Sequence, residues 1–229
     1  MDVLIDGVNL KENFGLKLLA VHYGSPEQKE DIIDIPGRNG SLDLSEVITG
    51  FPVYKNVQHT LKFDFKDGTY EQWMETASHL KGKYHGRKLP VIIGNKDYYF
   101  LAKISIDTDK INQDYSEIEM ILDAYPYRIS NHTSMEPYLW DTFNFEQDVV
   151  YDLTNISVPA DVTIIGAPMP TGCVIHCSQA LTMIYNGIHY ELPKGSSTSD
   201  DFIIFPGKEN VLSFVGEGTV SIEYRWGIF

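Results

Sequence analysis

Apolar and polar residues alternate along most of the chain in short runs broken by Gly, Pro, Asn and Asp. LDLSEVI, HTLKFDF, LPVIIG, DYYFLAKISI and SEIEMILDAY alternate or run apolar for five to ten residues. Runs of that length and spacing predict strands. One segment breaks the pattern. In GTYEQWMETASHLKGKYHG, residues Tyr70, Trp73, Met74, Ala77 and Leu80 recur at helical spacing and predict one apolar helix face packed on a sheet. Thr69 is placed to cap that helix, Gln72 to complete a capping box, and Gly82 to stop it.

DAYPYRISNHTSMEP reads as a boundary: a strand, then prolines and polar residues. It divides the chain into residues 1–130 and 131–229. Strands resume beyond it. MIYNGIHYEL holds Asn186-Gly187 between alternating runs, a strong hairpin signal. VLSFVGEGTVSIEYRW reads as a second hairpin around Gly216–Gly218. Val220, Ile222, Tyr224 and Trp226 fall on one face of its last strand, with Ser221, Glu223 and Arg225 on the solvent side. GSSTSDD, 195–201, reads as a solvated loop.

In DIPGRNGSLDLSE, the pair Asn39-Gly40 predicts a two-residue turn that pairs Arg38 with Ser41 and Ile35 with Leu44. Ile33, Ile35, Leu42 and Leu44 then share a buried face, and Arg38 stands at the tip. Pro36 cannot donate to a ladder, so that end belongs at an edge or splays open.

Composition narrows the function. At 229 residues and 43% hydrophobic the chain can bury a real core. The net charge is −14. Residues 1–130 hold 15 Lys+Arg against 20 Asp+Glu (−5) and the remainder 3 against 12 (−9), so the basic surplus of a nucleic-acid binder is missing. The first residues lack the pattern of a signal peptide, and no apolar run approaches the roughly 20 residues of a membrane helix. Synthesis in a cytoplasm is expected.

Candidate chemistry is sparse. CVIHC brings together Cys173, His176 and Cys177. Read as strand, it sets the two sulfurs roughly 13 Å apart, too far for a disulfide or a shared zinc ion, and turns His176 to the opposite face. DTDKINQDYSE spaces acids like a calcium loop, but Asn112 stands where the loop needs glycine, so a hairpin loop is expected. The other six histidines, His22, His59, His79, His85, His132 and His189, have no partner at motif spacing and read as surface or packing residues. Nucleophile elbow, P-loop and HExxH motifs are missing. The expectation is a protein that is not an enzyme, with no catalytic residue, metal or cofactor.

Several stretches resemble one family in order and spacing. They are Pro36-Gly37-Arg38-Asn39-Gly40 followed by Leu42-Asp43, Gly50-Phe51-Pro52-Val53-Tyr54, Tyr125-Pro126-Tyr127-Arg128, and the terminal FPGKENVLSFVGEGTVSIEYRWG. Together they resemble the distal tail (Dit) proteins of long-tailed phages and prophages. The resemblance implies a mainly β chain: an N-terminal β-sandwich with one helix that forms a ring, and a C-terminal galectin-like β-sandwich. It implies a hexameric hub at the virion tail tip, joining the tail tube protein to the tail-associated lysin and, in many phages, to receptor-binding proteins. Arg38 and Asn39 are the expected subunit contacts. The alternative is a lectin-like module for cell-wall glycans, with Tyr190 and Trp226 stacking on the sugar.

Overall fold

The computed structural model describes residues 1–65, 69–110, 116–136 and 153–229. The chain is mainly β and forms two compact units, Met1–Ile129 with Phe229, and Ser130–Ile228.

The N-terminal unit contains β1 (Val3–Ile5), β2 (Val8–Asn9), a one-turn helix α1 (Leu10–Phe14), β3 (Lys17–His22), β4 (Ile32–Ile33), β5 (Leu42–Asp43), β6 (Val57–Asp64), helix α2 (Tyr70–Tyr84), β7 (Lys88–Ile93), β8 (Tyr98–Lys110) and β9 (Ser116–Ser130), which ends at the boundary. Its curled antiparallel sheet runs β2-β1-β7-β8-β9-β6-β3. Alternation decides the inner face. Leu61 and Phe63 of β6, Ala102, Ile104 and Ile106 of β8, and Ile118, Met120, Leu122 and Ala124 of β9 form the core with Leu80 and Tyr84 of α2. The helix therefore packs on the sheet, as its periodicity requires.

The capping box forms: Gln72 N–H donates to Thr69 Oγ1 and Thr69 N–H to Gln72 Oε1. The stop at Gly82 does not. The buried row is Trp73, Ala77, Leu80 and Tyr84, while Tyr70 and Met74 are exposed. Burying Tyr84 carries the helix past Gly82, since one core ring outweighs the roughly 1 kcal/mol that an interior glycine costs.

The hairpin at 32–43 differs more. Ile33 pairs with Leu42 and Ile32 with Asp43, four residues out of the expected register. The reversal falls on Pro36-Gly37, where Arg38 N–H donates to Ile35 C=O and Gly37 has φ +83°. Proline followed by a positive-φ glycine is the type II turn pattern, and it forms in place of the Asn39-Gly40 turn. Nor is the expected face buried: Ile33 and Ile35 are 44 and 40% exposed and Leu42 and Leu44 only half-buried, while Ile32, outside that face, is 53% exposed.

The C-terminal unit contains β10 (Ile156–Ile165), β11 (Thr171–Cys177), β12 (Leu181–Tyr185), β13 (Ile188–Leu192), β14 (Gly195–Ile204) and β15 (Glu209–Glu223). Asn186 and Gly187, at φ +51° and +78°, turn β12 into β13 as expected. The second hairpin is not one. Residues 209–223 form a single strand that pairs with β10 along one edge and with β12, then β11, along the other. Gly216 and Gly218, both at positive φ, sit where it passes the β11–β12 connection. A Cβ on Gly218 would lie 2.6 Å from Ser178 Oγ, so close approach, not reversal, accounts for glycine there.

Two further expectations change. Residues 195–201 are the first part of β14, because the backbone beside β11 accepts a partner (His176 opposite Ser196, Cys177 opposite Gly195). Their polar composition suits a strand with only one neighbour. Ser221 is buried, because Ile222 N–H donates to Leu153 C=O and Asn155 N–H donates to the Ser221 hydroxyl. Residues 111–115 of the acidic loop lie outside the described residues.

Candidate functional site

The strand assignment of CVIHC holds. Cys173 and Cys177 point into the core as free thiols, and His176 faces outward. Burial pushes both thiols up, Cys173 to about 12, so neither offers a thiolate near neutrality. On the outer face, His176 Nδ1 lies 2.9 Å from Ser196 Oγ and Nε2 lies 3.0 Å from Glu223 Oε2. A serine, an imidazole and a carboxylate in a row suggest nucleophilic chemistry. Here they are side chains of adjacent strands on an open sheet face, which excludes no water, and they read as a polar cross-strand ladder.

Tyr190 and Trp226 do not form one surface feature. Tyr190 meets Phe202 edge-on at 5.0 Å and Trp226 lies 6.5 Å from Tyr224, each half-buried against the unit's core. Both rings are occupied by packing, as alternation in their segments would lead one to expect.

The feature most like a site lies in the N-terminal unit. A cavity of about 350 Å³ is lined by Tyr23, Pro26, Val57, His59, Phe100 and Arg128, with Gly24, Pro126 and Phe229 completing its wall. That volume is in the range that holds a small ligand or an anchoring side chain. His59 occupies the inward row of β6, between Val57 and Leu61. Gly24 N–H donates to its Nδ1 at 3.1 Å, which leaves the ring proton on Nε2. The imidazole packs against Phe100 at 4.6 Å and Tyr23 at 5.7 Å. Arg128 donates from Nε and Nη2 to the carbonyl oxygen of Phe229 at 3.1 and 2.6 Å, and its guanidinium lies 5.9 Å from the Tyr98 ring centre. Behind it, Tyr54 meets Tyr127 and Phe229 edge to face while Tyr127 and Phe229 lie tilted against each other, and burial, followed by Tyr125 and Tyr54, pushes the Tyr127 hydroxyl up to about 12.

Burial first, and the His22 charge second, hold His59 below its usual 6.5. The folded chain thus binds a proton at His59 less readily than the unfolded chain does. Its contribution to stability is full above pH 6.5 and is lost as pH falls below that value toward the depressed folded one. We expect the urea midpoint to drop on acidification from about pH 7.5 to about pH 5.5, and to drop less in His59→Gln. Equal drops in the two proteins would show that His59 is not a source of the loss.

Beside the cavity, residues 27–55 make a long excursion from the sheet. It is tied at its base by Lys29 N–H to Val53 C=O and Lys55 N–H to Glu27 C=O. Arg38 and Asn39 are exposed within it, and the Arg38 side chain makes no ion pair or hydrogen bond with the described residues. Sequence reading singled out the excursion but missed the cavity. The Tyr-Pro-Tyr-Arg motif supplies two of its walls, and that was the available signal.

No protein-family model and no curated protein matches the chain. Among solved structures, the Dit protein of phage SPP1 superposes over 100% of this chain and 99% of its own, with a TM-score of 0.66 at 10% identity. That structure is described as a paradigm of the hub adsorption apparatus in phages that infect Gram-positive bacteria. Two structures of the phage P2 baseplate in its activated conformation, with Ca and with Sr, reach TM-scores of 0.39 and 0.35 at 8% identity, too loose a likeness to bear on the fold. The chain therefore shares the fold of the SPP1 protein from end to end.

Proposed function

We propose that this chain is the structural hub of a phage tail tip. Six copies close into a ring through their N-terminal units, and the ring joins the tail tube protein to the tail-associated lysin and the adhesion apparatus. The observation that carries this reading is the superposition on the SPP1 hub protein over 100% of this chain and 99% of its own. The net charge of −14 suits a ring through which DNA passes, since like charge discourages adhesion. In this reading the C-terminal unit is galectin-like, and the chain has no enzymatic role. The rings of Tyr190 and Trp226 are engaged in packing, which favours the hub over a lectin.

Negative-stain microscopy of the chain mixed with the tail tube protein tests the proposal. Rings capping the ends of tubes are expected. Bare tubes beside monomers at high concentration would refute it. Within this reading Arg38 pairs with an acidic group of the neighbouring copy. Arg38→Glu is expected to weaken the ring and, because the side chain is solvated in the monomer, to shift the melting temperature of the monomer by less than about 2 °C. Light scattering and calorimetry check the two halves of that statement.

A further inference from the structure

Two features of the N-terminal unit are complementary. The first is a knob at residues 44–50. Val47 N–H donates to Leu44 C=O and Gly50 N–H to Glu46 C=O, so the turn is a built conformation. At its apex Val47 is 71% exposed and Ile48 96%. A single exposed aliphatic residue is ordinary. Two in succession on a hydrogen-bonded turn, in an excursion that also exposes Ile32, Ile33 and Ile35, concentrate apolar side chains of the kind that mark contact sites. The second feature is the hole, the aromatic cavity of Tyr23, His59 and Phe100. Ile48, nearly fully exposed, does not fill the cavity of its own chain.

Charge agrees with shape. Glu46, whose carboxylate lies 3.5 Å from Gln28 Nε2, immediately precedes Val47 at the apex, and Arg128, whose Nε and Nη2 hold the Phe229 carbonyl oxygen, stands in the cavity wall. Pairing through the open edge of β3 is the less suitable route between copies: its register slips between Leu18 and Ala20, and a bulge of this kind blunts an edge strand.

We infer that Val47 and Ile48 of one copy seat in the Tyr23–His59–Phe100 cavity of the next, with Glu46 facing Arg128. Knob and hole are different parts of one chain, so the contact is head to tail. Each copy gives one knob and receives one, and such a contact closes into a ring when the rotation permits. This inference rests on the ring reading above and supplies its contact.

Cross-linking tests it separately from that reading. Ile48→Cys and Pro26→Cys are purified singly, mixed and mildly oxidised; the native thiols are buried and should stay silent. A disulfide-linked pair is expected in the mixture and not in either variant alone. Rings by light scattering without this cross-link would overturn the knob and leave the hub standing. Neither rings nor cross-link would overturn both. Ile48→Asp is expected to weaken association by about 30-fold or more with the melting temperature of the monomer unchanged. Persistence of rings in that variant would also overturn the inference.

Discussion

Asn210→Ala is expected to lower the free energy of unfolding by about 4 kcal/mol. Asn210 is nearly fully buried at the start of β15 and makes more hydrogen bonds than its size suggests. Its Nδ2 lies 3.2, 3.0 and 3.0 Å from the carbonyl oxygens of Ile164, Phe205 and Lys208. Its Oδ1 accepts from Phe205 N–H and from the Tyr185 hydroxyl, both at 2.8 Å. One amide thus ties β10, β12 and β15 to the 205–208 turn. Each buried bond contributes about 1 kcal/mol net, more where its loss strands a partner away from water. Asn210→Asp is a sharper variant. It keeps the acceptor and sets a carboxylate against three carbonyl oxygens, so it should be at least as damaging at neutral pH. Denaturant unfolding followed by circular dichroism measures both, and a loss below about 1 kcal/mol in the alanine variant would mean that water replaces the amide.

Gly24→Ala should cost about 3 kcal/mol and open the cavity. A Cβ there would lie 2.4 Å from the carbonyl oxygen of Gln58 and 2.9 Å from Val57 Cγ1. Gln58 is held in the sheet opposite Asp123 and cannot yield, so the segment carrying Tyr23 and Gly24 must lift. That breaks the bond from Gly24 N–H to His59 Nδ1 and parts Tyr23 from His59. Ser25→Ala, next in the chain and exposed, should be neutral. Thermal unfolding of the two variants side by side checks the contrast. Equal stabilities would show that the segment relaxes freely.

The features legible in the sequence are local ones. Thr69 and Gln72 form their box because both partners lie within one turn of helix. Asn186-Gly187 turns because the dipeptide itself prefers positive φ and its strands are long enough to pair. Asp6-Gly7 has the same conformation, φ +51° and +77°, but joins strands of two and three residues that leave no periodicity to read. Gly216 and Gly218 show the opposite difficulty: a glycine pair signals unusual backbone, and sequence does not say whether the chain reverses there or only passes close to Ser178.

The 32–43 hairpin fails for another reason. Alternation predicts a buried face, and it assumes that the burial happens within one chain. Ile32, Ile33 and Ile35 are exposed, and in the proposed ring they are apolar surface for assembly to cover. Beyond the Tyr-Pro-Tyr-Arg motif the cavity was illegible, because Tyr23, His59 and Phe100 come from distant segments, each an ordinary residue in its own surroundings. Only the closure of β6, β8 and β9 in one sheet brings them together.

The central claim is that copies of this chain make a ring. Its most direct test is the mass of the purified chain by native mass spectrometry or mass photometry across a range of concentrations. With a chain of 26.0 kDa, six copies give about 156 kDa, and a species of that mass, closed and not extending with concentration, is the predicted result. A particle that stays at the mass of one chain at the highest concentration, with the tail tube protein present as well as absent, would contradict the account.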